Sequence, residues 1–257
     1  MDLQLKGKTA LVTGASKGIG LGCAEILAQE GCNLHLAARS EGALEEARRK
    51  LAGSSGVKVT CHPLDLAVSE NIARLANAVG DVDILINNAG AIPQGSITDL
   101  DEKTWRQGWE LKLFGYINLT REIYRRMTER RSGVIVNVIG SAGERPSASY
   151  IAGSIANSGL ITMSRALGAD SPKYGVRVVA LNPGSTATER GVEIWKTRAQ
   201  KELGDAARWP ELTKGFPFGR AATVEEVANV IVFLASPKSS YVSGTVISVD
   251  GGNAWRK

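Results

Sequence analysis

The stretch TALVTGASKGIG, residues 9–20, decides how the rest of the chain is read. Its first half is apolar and β-branched, as in a strand covered on both faces. Its second half spaces Gly14, Gly18 and Gly20 across a sharp turn into a helix, with Ser16, Lys17 and Ile19 filling the places between. Glycine lets the backbone bend this tightly and bring its N–H groups against a pyrophosphate, while the start of the helix adds the positive end of its dipole. Such a trio also occurs at plain strand-to-helix corners, so its surroundings have to decide.

Outward from this turn the same unit recurs. Short apolar runs at 9–14, 32–38, 57–61, 82–87, 133–140, 176–182 and 245–251 alternate with helical patterns at about 18–30, 41–53, 68–79, 102–130, 150–170 and 223–236. The alternation predicts an α/β fold: a single-domain, Rossmann-type, doubly wound parallel sheet of about seven strands flanked by helices, spanning 1–257. Residues 189–217 break the rhythm. They are polar, carry Trp195 and Trp209, and read as a substrate lid or partner surface inserted between the last strands.

The second strand ends in HLAARS, residues 35–40. Where an NAD-preferring fold carries a carboxylate for the ribose hydroxyls, this chain has Ala38, followed by Arg39 and Ser40. With no acid to repel a 2′-phosphate, and with Arg39 and Lys17 to pair with one, NADP(H) is the expected cofactor and NAD(H) the alternative.

The whole chain sets outer bounds. Its 257 residues are 43% apolar and 22% charged, enough for a substantial core, and the net charge of +5 is spread without a basic block, which argues against a nucleic-acid partner. Cys23, Cys32 and Cys61 form no CxxC pair, and His35 and His62 have no ligand cluster around them, so free thiols and no metal are expected. An apolar run begins within about ten residues of Met1, leaving no room for a secretory leader, and none approaches the roughly 18 residues of a membrane span. A soluble, cytoplasmic chain with no membrane partner is the expectation.

The motifs TGASKGIG at 13–20, LDL at 64–66, NNAG at 87–90, Tyr150, NPGSTAT at 182–188, and the closing GRAATVEEVANVIVFLAS with SGTVISVDGG follow one another in a fixed order. In that order the chain resembles the short-chain dehydrogenase/reductase family along essentially its whole length. The resemblance implies an oxidoreductase, often a homotetramer, that moves a hydride between NAD(P) and a small-molecule carbonyl, alcohol or activated double bond. It further implies that Asp65 and Leu66 border the adenine, that Asn88, Ala89 and Gly90 border the adenosine ribose, and that Pro183, Gly184, Thr186 and Thr188, with Tyr150, meet the nicotinamide end.

The family's catalytic set of Asn, Ser, Tyr and Lys is matched cleanly at Tyr150 alone. The lysine position, counted four residues past Tyr150, falls on Ser154; the serine position falls on Gly140, with Ser141 next; the asparagine position falls on Lys112. A phenol titrates near pH 10 and needs a cation beside it to exchange protons near neutrality. The expectation is a relocated cation, in which Lys112 lowers the Tyr150 pKa, Ser154 takes over part of the ribose contact, and Ser141, turned inward by Gly140, orients the substrate oxygen. Carbonyl–alcohol interconversion is the leading reading. An enoyl- or dienoyl-thioester reductase, with Arg190, Lys196, Arg198, Lys201 and Arg208 meeting coenzyme A phosphates, and a catalytically impaired NADP-binding sensor or assembly subunit are the alternatives.

Overall fold

Every second residue of a covered strand faces the same layer of helices, and the strands here are apolar on both sides. In the computed structural model β1 (Thr9–Thr13), β2 (Asn33–Ala38), β3 (Val59–Pro63), β4 (Ile84–Asn87), β5 (Gly133–Val138), β6 (Val176–Pro183) and β7 (Val246–Val249) form one parallel sheet, in the order β3-β2-β1-β4-β5-β6-β7. The structure describes residues 1–256, apart from the side chains of residues 54 and 55, so the last residue of the expected 1–257 domain lies outside the described residues.

The strands are joined by α1 (Gly18–Gln29), α2 (Glu41–Ser55), α3 (Ser69–Val79), α4 (Glu102–Trp109), α5 (Gly115–Glu129) and α6 (Ile151–Asp170), and the β6–β7 connection carries α7 (Glu189–Leu203), α8 (Trp209–Thr213) and α9 (Val224–Ala235). On one face Ala10, Val12, Leu34, Ile84, Ile86 and Val136 pack with residues of α1, α2 and α9. On the other, Leu11, Leu85, Ile135 and Val178 pack with α3 and α5, and Ala180 with α6. Helices on both faces, with the strand order reversing direction between β1 and β4, leave a crevice at the carboxyl ends of those two strands. Among the described residues no helix is long and apolar enough to cross a membrane.

One element differs from the sequence expectation. The single helix expected at about 102–130 is two helices joined by a π turn at Glu110–Phe114, in which the Gly115 N–H donates to the Glu110 carbonyl. An inserted π turn rotates the side chains it carries away from the ordinary helical stripe, and Lys112 sits in its middle. The segment at 189–217 lies between β6 and β7, where Trp195 stacks on Trp209 at 5.7 Å and meets Phe216 edge-on at 5.8 Å, clasping α7 to α8 and the segment after it.

Candidate active site

The glycine turn after β1 is held by the turn after β4. The Thr13 hydroxyl accepts from the backbone N–H groups of Asn88 (2.9 Å) and Ala89 (3.0 Å), and Asn88 Nδ2 donates to the Thr13 carbonyl at 3.1 Å. A Cβ on Gly14, whose φ is +65°, would meet that amide nitrogen at 2.9 Å, and one on Gly20 would meet the Gly14 carbonyl oxygen at 2.3 Å. Close approach of α1 to the turn therefore requires glycine at both places. Beneath them, Asn87 Nδ2 donates to Thr120 Oγ1 and Asn137 Oδ1, and Asn137 Nδ2 donates to Ser164 Oγ, a buried polar ladder tying β4 and β5 to α5 and α6.

A cleft of about 1080 Å³ opens along this crevice. Of the expected cofactor residues, Gly14, Ser16, Lys17, Gly18, Ile19, Arg39, Ser40, Asp65, Leu66, Asn88, Ala89, Gly90, Pro183 and Thr188 line it. Gly20, Tyr150, Gly184 and Thr186 lie outside that lining. Gly20 serves the helix approach just described. Gly184 packs on Asp250, whose Cα would lie 2.8 Å from an added Cβ, and Thr186 donates to the Gly184 carbonyl at 3.0 Å, so both shape the loop behind the cleft wall.

The cleft fits a dinucleotide. Its volume exceeds that of ordinary drug-sized sites, its middle is the glycine cradle at the start of α1, and one end presents Arg39, Ser40 and Lys17 around Ala38. Among the described residues neither Arg39 nor Lys17 is engaged in an ion pair, which leaves both cations available to a phosphate.

At the other end lies Lys112, 8% exposed. Its amine donates to the Val138 carbonyl at 2.8 Å and to the Tyr116 hydroxyl at 3.0 Å, and sits 4.6 Å from the centre of the Tyr116 ring; the Tyr116 hydroxyl in turn donates to the Val138 carbonyl at 2.8 Å. Gly90 makes room for this side chain, since a Cβ there would meet Lys112 Cδ at 2.5 Å. Burial alone brings the Lys112 pKa down to about 7, and burial pushes that of Tyr116 well up.

Tyr150 is not part of this contact. Burial raises its phenol pKa, and the charge that pulls it back down is Arg190, in the first turn of α7. The expected arrangement is corrected in this respect: Lys112 bonds to Tyr116, one turn along its own helix, and Arg190 supplies the field at Tyr150. The physical reason is the backbone. Tyr150 caps α6 with φ −139° and ψ 42° and so stands outside the helix, while the π turn aims Lys112 at the end of β5.

Ser154, buried, accepts from the Ser147 N–H at 3.0 Å and fastens the loop before α6, so its hydroxyl is already engaged. Gly140 takes φ +143°, a conformation that favours glycine, and starts a 3₁₀ turn at Ser141–Gly143. That turn is gripped by α6: the Gly140 carbonyl accepts from Asn157 Nδ2 at 3.4 Å and the Gly143 carbonyl from Ser158 Oγ at 2.9 Å. The Ser141 hydroxyl has no hydrogen-bond partner among the described residues, and Ser141 lies outside the lining of the cleft. The Asn157 Oδ1 atom is buried and likewise has no hydrogen-bond partner among the described residues.

Sequence reasoning missed Arg190 as the charge near Tyr150, Tyr116 as the partner of Lys112, and Asn157. A signal for Tyr116 was present, because residues four apart on a helix meet. The lid cations expected to face coenzyme A are largely engaged elsewhere: Lys196 pairs with Glu193, Arg198 with Glu202 and Arg208 with Glu211.

Residues 14–254 match a family model described as enoyl-(acyl carrier protein) reductase. The chain is 33% identical to 3-oxoacyl-[acyl-carrier-protein] reductase FabG of Chlamydia muridarum, over 99% of this chain and 100% of that protein, and 36% identical to galactitol 2-dehydrogenase (L-tagatose-forming) of Cereibacter sphaeroides, over 97% and 96%. Among solved structures it is similar to L-sorbose reductase of Gluconobacter frateurii, complexed with NADPH and L-sorbose, with 31% identity, a TM-score of 0.94 and full coverage of both chains.

Proposed function

The chain belongs to the short-chain dehydrogenase/reductase family of oxidoreductases, and on that premise we propose that it interconverts a small-molecule carbonyl and its alcohol with NADP(H) as cofactor. The observation that carries this reading is a free Ser141 hydroxyl on a turn clamped to α6, the helix whose first residue follows the Tyr150 phenol. The cofactor preference rests on Arg39 and Lys17 around Ala38 and gains support from the NADPH bound to the similar sorbose reductase.

When bound, a nicotinamide supplies or accepts the hydride. The protein's own work is to hold the substrate oxygen and exchange a proton with it. Ser141 donates a hydrogen bond to that oxygen and stabilises the charge developing on it. Tyr150 gives its proton in the reductive direction and takes it back in the oxidative one; burial keeps the phenol protonated, and Arg190 tempers that effect. Lys112, with a pKa near 7 and its amine lodged at the end of β5, holds the inner wall of the cleft in place and changes its charge near neutral pH.

The test is NADPH oxidation against a panel of ketoses and 3-oxoacyl thioesters, chosen because the relatives named above act on sugars, polyols and acyl chains. Tyr150→Phe is expected to lower kcat by about 10²- to 10⁴-fold and Ser141→Ala by about 10²-fold, with the KM for NADPH unchanged. Wild-type turnover in Tyr150→Phe would end this reading. A second reading, saturation of an enoyl thioester, follows from the description of the matching family model; product analysis separates the two, an alcohol supporting the first and a saturated thioester the second.

A further inference from the structure

Gly153 lies directly beneath the Tyr150 ring. A Cβ on Gly153 would fall 2.1 Å from both Cε1 and Cζ of Tyr150 and 2.6 Å from its hydroxyl oxygen, far inside any contact that real side chains make. The backbone does not call for glycine at this position: Gly153 is in the first turn of α6 and is absent from the positive-φ glycines, so an alanine would fit the helix and suit it better. What the position needs is empty space. Its nearest clashing atoms all belong to one movable side chain, so filling the space displaces the phenol and leaves the fold alone.

We propose that Gly153 is the positioning residue of Tyr150, its missing Cβ being what seats the phenol against the face of α6. The assignment deepens the proposed function and rests on it for its catalytic consequence, though not for the placement itself. The phenol belongs to a residue outside the helix, and it reaches the α6 face by folding back over the one position in that turn that offers no side chain. One helical turn further on, Asn157 holds the Gly140 carbonyl and with it the turn that carries Ser141. Gly153 and Asn157 thus share a face of α6 and set the two hydroxyl groups relative to each other.

Gly153→Ala, Gly159→Ala and Tyr150→Phe in the full chain test this. Gly159 lies on the same helix, and its added Cβ would meet only Leu113 Cδ1, at 3.7 Å, an ordinary contact. Gly153→Ala is expected to lose about 10²-fold or more in kcat with NADPH affinity retained and a melting temperature no lower than wild type, while Gly159→Ala keeps wild-type kcat. Its crystal structure should show the Tyr150 ring moved off the α6 face. A ring that stays in place, a Gly153→Ala protein with wild-type kcat beside an inactive Tyr150→Phe, or a loss of fold in Gly153→Ala overturns the inference. Wild-type turnover in Tyr150→Phe instead overturns the proposed role of the phenol and leaves the crystallographic result to decide the placement.

Discussion

The Lys112 amine donates to the Tyr116 hydroxyl at 3.0 Å, within a buried triangle closed by the Val138 carbonyl, and not to Tyr150. Burial without a charged partner accounts for a lysine with a pKa of about 7. Between pH 7 and the ordinary value of 10.5, the unfolded chain binds a proton at this lysine that the folded chain does not. Stability therefore rises with pH across that window and is lost as pH falls through it. Lys112→Met removes the dependence. Thermal melts from pH 10 to pH 6 should show the variant gaining on wild type down to about pH 7 and holding a constant difference below it; a difference independent of pH would show that the amine is not titrating in the fold.

Arg190 is the cation that acts on Tyr150. Removing it in Arg190→Leu leaves burial unopposed, so the phenol pKa moves further up. In the reductive direction, which needs the protonated phenol, the alkaline fall of kcat/KM should shift to higher pH. In the oxidative direction, which needs the phenolate, the rise should shift the same way. Unmoved profiles in both directions would remove Arg190 from the electrostatics of the site.

Cofactor choice is expected to turn on Ala38. Ala38→Asp places a carboxylate at the end of β2, beside Arg39, where it repels a 2′-phosphate and accepts from ribose hydroxyls instead. The ratio of kcat/KM for NADPH over NADH should fall by about 10²-fold or more, from charge repulsion and the loss of a charge-assisted contact together. A ratio unchanged by the substitution would place 2′-phosphate recognition elsewhere.

His35 on β2 and His62 on β3 face each other with Nδ1 and Nε2 2.9 Å apart and their rings stacked at 5.1 Å. Burial first, then the neighbouring His62 and Lys58, bring His35 down to about 4, and burial lowers His62 as well. Both are neutral in the fold, so their contribution is complete above the ordinary histidine value of 6.5 and is lost as pH falls from there toward 4. Melting temperature should drop over that interval, and His35→Leu should flatten the drop. An equally steep decline in the variant would assign the acid sensitivity to other groups.

The half of the cleft built on the glycine turn was legible in the sequence because local rules fix it. Gly14 and Gly18 lie in a turn where the backbone takes positive φ, Gly20 is small because α1 meets the turn after β1, and Ala38 followed by Arg39 can be counted from the end of a strand. Alternating strands and helices left one topology, and the seven-stranded sheet follows from it. The chemical half was less legible because it depends on how elements end. Counting four residues from Tyr150 to Ser154 assumed both to be helical, whereas Tyr150 caps the helix and its ring folds back over Gly153. The run around Lys112 gave no sign of a π turn, and that turn alone decides that its amine meets Val138 and Tyr116.

By itself, then, the sequence determined the sheet, the glycine turn and the arginine that follows β2 at the cleft, since apolar periodicity and glycine sterics act over a few residues. Only the tertiary structure decided which charge reaches which phenol. Arg190, Lys112 and Tyr150 come from three separate connections, and the distances among them are set by packing across the ends of β4, β5 and β6, which no local pattern encodes.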